Sequence, residues 1–248
     1  MEEHGRQLMN ASVRMKGTGM RRAFDKELTN LHGRLVALGR TVQAQLDDAL
    51  VALADRVADA NAAERIVGRD RQVSQASAEI EWGLLCTLAR QAPVARDLRL
   101  VTGLLHVNEH LERMGGLCAN VAKTVPGLAN RPPPTEVLVT LNEMGAHVRR
   151  VVTASLACLA DGDAGAAERL PTIDQAVDRL NDRVFAQITG SNDPTALGWA
   201  PQLVLLARFL ERLGDQAVDV GEQVCFIVTG EVRELLPPKA ARIPASAP

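Results

Sequence analysis

The chain has 248 residues, 46% of them apolar, and a formal net charge of −2, which supports a large core and gives no general attraction to nucleic acid. Aromatic residues make up 2% and tyrosine is absent, which argues against extensive sheets; the abundant Leu, Ala, Val, Glu and Arg suit long, mutually packed helices. No uncharged apolar run approaches the roughly 18 residues of a membrane span, and the opening MEEHGRQLMNASVRMKGTG lacks the apolar stretch of a secretory signal.

In chain order, the first periodic segment starts at Phe24 and carries Leu28, Leu31, Leu35, Leu38, Val42, Leu46, Leu50 and Leu53. Steps of three and four place these residues on one face of a long helix. A second helix is marked by Val73, Ile80, Leu84 and Leu88 and stops near Pro93. A third holds Val107, Leu111, Met114, Cys118, Val121 and Val125 and stops at Pro126-Gly127. LANRPPP, Leu128 to Pro134, reads as a linker.

The pattern resumes with Leu138, Leu141, Gly145, Val148, Val152, Ser155 and Leu159 in a fourth helix. Ile173, Val177, Leu180, Val184 and Ile188 mark a fifth, ended by SNDP at Ser191 to Pro194. The sixth holds Leu206, Leu210, Leu213, Ala217, Val220, Val224 and Ile227, with Gly230 as the residue that closes it. The four cysteines are far apart within apolar helical patterns and read as small buried hydrophobes of a reducing compartment.

The segments repeat. DANAAERI, Asp59 to Ile66, matches DAGAAERL, Asp163 to Leu170, and HLERMGGLCANVAKT, His110 to Thr124, matches FLERLGDQAVDVGEQ, Phe209 to Gln223. All six seam positions of the third helix have counterparts in the sixth. The predicted fold is therefore all-α, two tandem antiparallel three-helix bundles related by an internal repeat. The boundaries read as 20–127 and 135–230, with 128–134 as linker. Residues 1–19 are an extension outside the repeats, and 231–248 form a disordered tail.

The sixth helix also carries acids. Placed on a heptad with Leu206 and Leu210 in the seam, Glu211, Asp215, Asp219 and Glu222 form one stripe on the side facing away from it. The fifth helix has a ladder of its own, Asp174, Asp178 and Asp182. Charged residues in such positions are ordinarily a solvated face, but like charges four apart on a helix repel. Two facing ladders of hard oxygen ligands suit Mg²⁺, Mn²⁺, Ca²⁺ or ferric iron, and Zn²⁺ less well. The matched positions of the first half are Asp70, Ser74, Glu112, Gly116, Asn120 and Lys123, so only Asp70 and Glu112 keep a carboxylate. A cation site, where one exists, belongs to the second half, and the first-half site is weak or lost. The five histidines stand off the stripe as surface or bundle-edge residues, and no Walker loop, nucleophile elbow or Cys/His pair asks for an enzyme.

PVARDLRLV (Pro93 to Val101) leading into HLERMG, then FLERLGDQAVDVGE running to VTGE (Val228 to Glu231), resembles the PhoU family of phosphate-transport regulators. The resemblance runs from about Met20 to Glu231 in the same order and spacing. It implies a non-catalytic cytoplasmic accessory protein, peripheral at the inner membrane face through its partners and commonly a homodimer. The implied partners are the ATPase subunit of a phosphate ABC transporter and a sensor histidine kinase, with repression of the phosphate-starvation response as the outcome. Family members bind metal through paired E/DxxxD motifs. Here Glu211 and Asp215 match one motif, Asp174 and Asp178 match the acidic pair on the neighbouring helix, and the other motif is broken where Gly116 follows Glu112. The implied cofactor is a Mg, Mn, Fe or Zn ion in the second repeat. A metal-storing or metal-dependent bundle enzyme is the competing reading.

Overall fold

The computed structural model describes residues 2–55, 60–128 and 133–236, and among these every regular element is helical. The long helices are α1 (Glu2–Asp55), α2 (Ala60–Gln91), α3 (Ala95–Thr124), α4 (Thr135–Asp161), α6 (Leu170–Thr189) and α7 (Ala200–Thr229). A single turn, α5 (Ala164–Ala167), leads into α6. A 3₁₀ turn at Val125–Leu128 follows α3, where Pro126 cannot continue the helix. Gly230 ends α7 with φ 84°, the left-handed conformation that glycine adopts at least cost, in the position expected from the sequence.

Leu28, Leu31, Leu35, Leu38, Val42, Leu46 and Leu53 of α1 are all buried, as are Leu206, Leu210, Leu213, Ala217, Val220 and Val224 of α7. The seams predicted from periodicity are thus the packed faces. α1, α2 and α3 pack on one another, as do α4, α6 and α7, which gives the two three-helix repeats. The repeats are joined along their length: α3 lies on α7, α1 lies on α4, and their buried side chains form one continuous core. α2 and α6 are left as the outer helices.

Two places differ from the expectation, while residues 1–19, read from the sequence as an extension outside the repeats, continue from Glu2 as one helix with the rest of α1. The tail is expected to be free after Glu231, yet Leu235 is buried at 9% exposure. Its backbone N–H donates to Glu222 Oε1 at 2.8 Å. Residues 237–248 of that tail, and 129–132 of the linker, lie outside the described residues. Finally, the pairing of the helices covers all of α7 between its ends except a narrow face at Leu205, Arg208, Arg212 and Asp215, and this changes the surroundings of the acidic stripe.

Candidate functional site

In each repeat the glycine of LERxG faces a carboxylate on the neighbouring outer helix. A Cβ at Gly214 would stand 2.2 Å from Asp174 Oδ1, and one at Gly115 would stand 3.3 Å from Asp70 Oδ1. The shared glycine is therefore more than a packing residue. It is the gap that lets an aspartate of α6 or α2 lie against the backbone of α7 or α3.

In the second repeat this burial is severe. Asp174 is 7% exposed, and its Oδ1 is buried without a hydrogen-bond donor. Loss of water, together with the nearby Asp178, Asp215 and Glu211, raises its pKa from 3.8 to about 7. Desolvation followed by Glu211, Asp178 and Asp219 raises Asp215 to about 6, with Arg208 acting in the opposite direction. Asp178 is raised by partial burial and by Asp182, with Arg179 offsetting part of the effect. Asp174, Asp178, Glu211 and Asp215 are thus one electrostatic unit between α6 and α7. Glu211 turns to an ion pair with Arg208 one turn earlier. Among the described residues no three His, Cys, Asp or Glu side chains are drawn around one point closely enough to enclose an ion.

The remaining predicted residues separate from this unit. Asp219 and Glu222 face α3 and the segment beyond α7. His110 of α3, expected from the sequence to lie off the stripe, is brought onto it: its Nδ1 donates to Gln216 Oε1 at 3.1 Å and lies 3.5 Å from Asp219 Oδ2. Gln216 Nε2 in turn donates to Asp219 Oδ2 at 2.9 Å. Burial raises the Asp219 pKa while His110 and Arg113 counter it. Glu222 is likewise raised by burial, against the hydrogen bond from the Leu235 N–H. The stripe expected to face outward is therefore partly enclosed, because α3, α6 and the post-α7 segment cover its sides. Nothing in the local sequence of α7 signals His110, whose approach depends on the pairing of the two repeats.

The first repeat has a different interior. Gln45, fully buried, donates its Nε2 to the carbonyls of Gly115 at 3.1 Å and Ile66 at 3.2 Å, so a neutral amide lies beside Asp70. Glu112 and Lys123 are exposed, and a Cβ at Gly116 would meet nothing within 4 Å. Of the first-half pair, Asp70 sits against Gly115 while Glu112 points to solvent. The structure does not bring them together as it does Asp174 and Asp215.

PVARDLR forms the strained turn from α2 into α3. Ala92 and Ala95 have φ of 43° and 47°, a region that L-residues with a Cβ enter at a cost of the order of 1 kcal/mol. Asp97 anchors the turn by accepting both terminal nitrogens of the Arg21 guanidinium on α1. Between this turn, α1 and the C-terminal ends of α4 and α7 opens a cleft of about 560 Å³ lined by Arg21, His32, Arg96, Leu104, Leu159 and Ile227.

With this geometry in hand, the comparison with known proteins is decisive. The PhoU domain family model matches residues 35–125 and 141–224, one match for each three-helix repeat. The chain belongs to the PhoU family. It is 30% identical over 215 residues to the phosphate-specific transport system accessory protein PhoU homolog of Pseudomonas aeruginosa, covering 86% of this chain and 88% of that one. The homolog of Clostridium acetobutylicum is 28% identical, covering 87% of this chain and 98% of the relative. The crystal structure of PhoU from Pseudomonas aeruginosa superposes with a TM-score of 0.79 at 30% identity over 84% of this chain and all of that one. The phosphate transport system regulatory protein PhoU of Streptococcus pneumoniae gives 0.78 at 28% identity, over 86% of this chain and 100% of its own. PhoU is a family of phosphate-transport accessory and regulatory proteins, not of enzymes, so the competing reading as a metal-dependent enzyme is set aside. No described helix is long and apolar enough to cross a membrane.

Proposed function

We propose that this PhoU protein is a cytoplasmic adaptor that docks on the ATPase subunit of a phosphate ABC transporter and on a sensor histidine kinase, holding the phosphate-starvation response off when phosphate is plentiful. The carrying observation is the match of both repeats to PhoU, with near-complete coverage of relatives named as phosphate-specific transport accessory proteins. Docking is also what the site chemistry favours, since α7 presents acids without a nucleophile or a proton relay aimed at a substrate pocket. Such an adaptor acts through affinities that differ between transporter states. Homodimerisation belongs to the same proposal, with light scattering as its check. Deletion in the source cell is expected to switch on phosphate-starvation genes in phosphate-rich medium. Unchanged expression there rejects the proposal.

A cation in the second repeat is part of this reading. Its support is the fit of Asp174, whose buried Oδ1 lacks a donor, to a positive ligand beside Asp178, Glu211 and Asp215. A hard ion such as Mg²⁺, Mn²⁺ or ferric iron would supply the charge that these oxygens lack, with Asp219 and Glu222 flanking and Zn²⁺ the poorer match. The first repeat, with Asp70 beside a neutral amide and Glu112 solvated, would hold none. Metal analysis of protein purified without chelator is expected to find bound metal that Asp215→Ala removes and Glu112→Ala does not. Equal loss from both substitutions rejects the asymmetry.

A further inference from the structure

The outer face of α2 carries apolar side chains that its own bundle leaves bare. Ala78, Trp82, Leu85 and Ala89 are all exposed and follow one another at steps of four, three and four. They therefore form one stripe, on the side of the helix opposite the buried Val73, Ile80 and Leu84. Trp82 is 70% exposed and Leu85 43%, although aromatic residues make up only 2% of the chain and its other tryptophan, Trp199, is fully buried. The fold does not require this stripe. At the matched positions of the second repeat, α6 carries Asp182, Ala186 and Thr189 in place of Ala78, Trp82 and Leu85. A tryptophan held on a rigid helix beside a leucine is the kind of residue that anchors protein interfaces.

The charges beside the stripe identify what covers it. At 100° per residue, Glu81 and Arg90 lie about 80° and 100° round from its centre, on the same side. Both are exposed, and neither has an ion-pair partner among the described residues, whereas Glu79 is held by Arg34 of α1. Two copies of a helix facing each other across a two-fold axis run antiparallel, and each flank meets the same flank of the other copy. Setting Glu81 opposite Arg90 of a second copy fixes the register. Trp82 then opposes Ala89, and Leu85 opposes Cys86 close to the axis. The large ring meets a small side chain, and by symmetry the ion pair forms twice. A register that instead sets Trp82 over Ala78 brings Glu79 of one copy against Glu81 of the other, where like charges repel. Size and charge agree on one arrangement.

We propose that the apolar stripe of α2 is the two-fold interface of the homodimer. A second copy of this chain packs antiparallel on it, with Trp82 against Ala89 and Glu81 paired with Arg90. This rests on the homodimer reading above, and the experiment separates the two.

The first measurement is sedimentation of the full chain across a dilution series, for wild type, W82E, E81R, R90E and the double variant E81R/R90E. W82E is expected to weaken dimerisation about a hundredfold or more, with unchanged circular dichroism and Tm, because the side chain it replaces is exposed in the single copy. Each single charge reversal is expected to weaken the dimer about tenfold, and the double reversal to return it to within about threefold of wild type. The second measurement is a short bismaleimide on the native chain. Cys118, Cys158 and Cys225 are buried and Cys86 is partly exposed, so the expected product is a covalent dimer joined through Cys86 and absent from C86S and W82E. A wild-type chain that sediments as a monomer overturns the interface and the homodimer reading together. A dimer that W82E leaves intact, a double reversal no tighter than the single ones, or a dimer without the Cys86 cross-link overturns the α2 interface while the homodimer reading stands.

Discussion

Asp174→Asn isolates the electrostatic core of the second repeat. The substitution keeps the shape that Gly214 accommodates and removes the charge. A carboxylate raised from 3.8 to about 7 in the folded chain binds a proton there that the unfolded chain has already released. The folded state therefore holds more protons between those two values, and its stability falls as pH rises through that window. A shift of about 3 units corresponds to about 4 kcal/mol once the group is fully ionised, at 1.36 kcal/mol per unit. Interaction with Asp215 shares part of this, so about 2–4 kcal/mol is expected from Asp174 alone. The assay is urea unfolding of wild type and Asp174→Asn in EDTA from pH 4 to pH 8. At pH 4 the protonated acid and the amide should be nearly equal in stability. At pH 8 the variant should be more stable by the stated amount. On the cation reading proposed above, Mn²⁺ should recover the loss in wild type at pH 8 and leave the variant unmoved. A stability difference that stays constant with pH would refute the reasoning.

Gly214→Ala should destabilise by about 1–3 kcal/mol in thermal unfolding, because its Cβ collides with Asp174 Oδ1 at 2.2 Å. Gly116→Ala, with nothing within 4 Å, should instead stabilise α3 by about 0.5–1 kcal/mol. Asp97→Ala breaks the Arg21 clamp on the strained turn, and faster amide exchange over residues 92–100, with little change in overall Tm, is the expected result. Leu235→Ala should cost about 2 kcal/mol from the loss of a buried side chain, measured in urea. A negligible cost would show that the chain around Leu235 does not pack on α7.

Helical spacing, read one segment at a time, was sufficient for most of the fold. Leu28 to Leu53 and Leu206 to Val224 were assignable as packed faces because burial on one side of a helix repeats every three to four residues, wherever its partner lies. The duplication was legible for the same reason, in seam residues and in the matched DANAAERI and DAGAAERL turns. So was the loss of carboxylates at Gly116, Asn120 and Lys123, since a charge removed from a sequence needs no structure to be counted.

Depth and company were not legible. Asp174 and Asp178 stand one turn apart in α6, and their positions alone could not say that one is buried against Gly214 while the other is exposed. His110 precedes Asp219 by more than a hundred residues and meets it only because α3 lies along α7. The Leu235 hydrogen bond to Glu222 depends on a reversal at Gly230 that composition describes merely as a tail. The physical division is one of range. Periodicity records what a helix asks of its surroundings, and so the sequence by itself determined the helices, their repeat and the half that keeps its acids. Which neighbours answer, and how much water they exclude, is a property of surfaces far apart in the chain, and only the tertiary structure decided it.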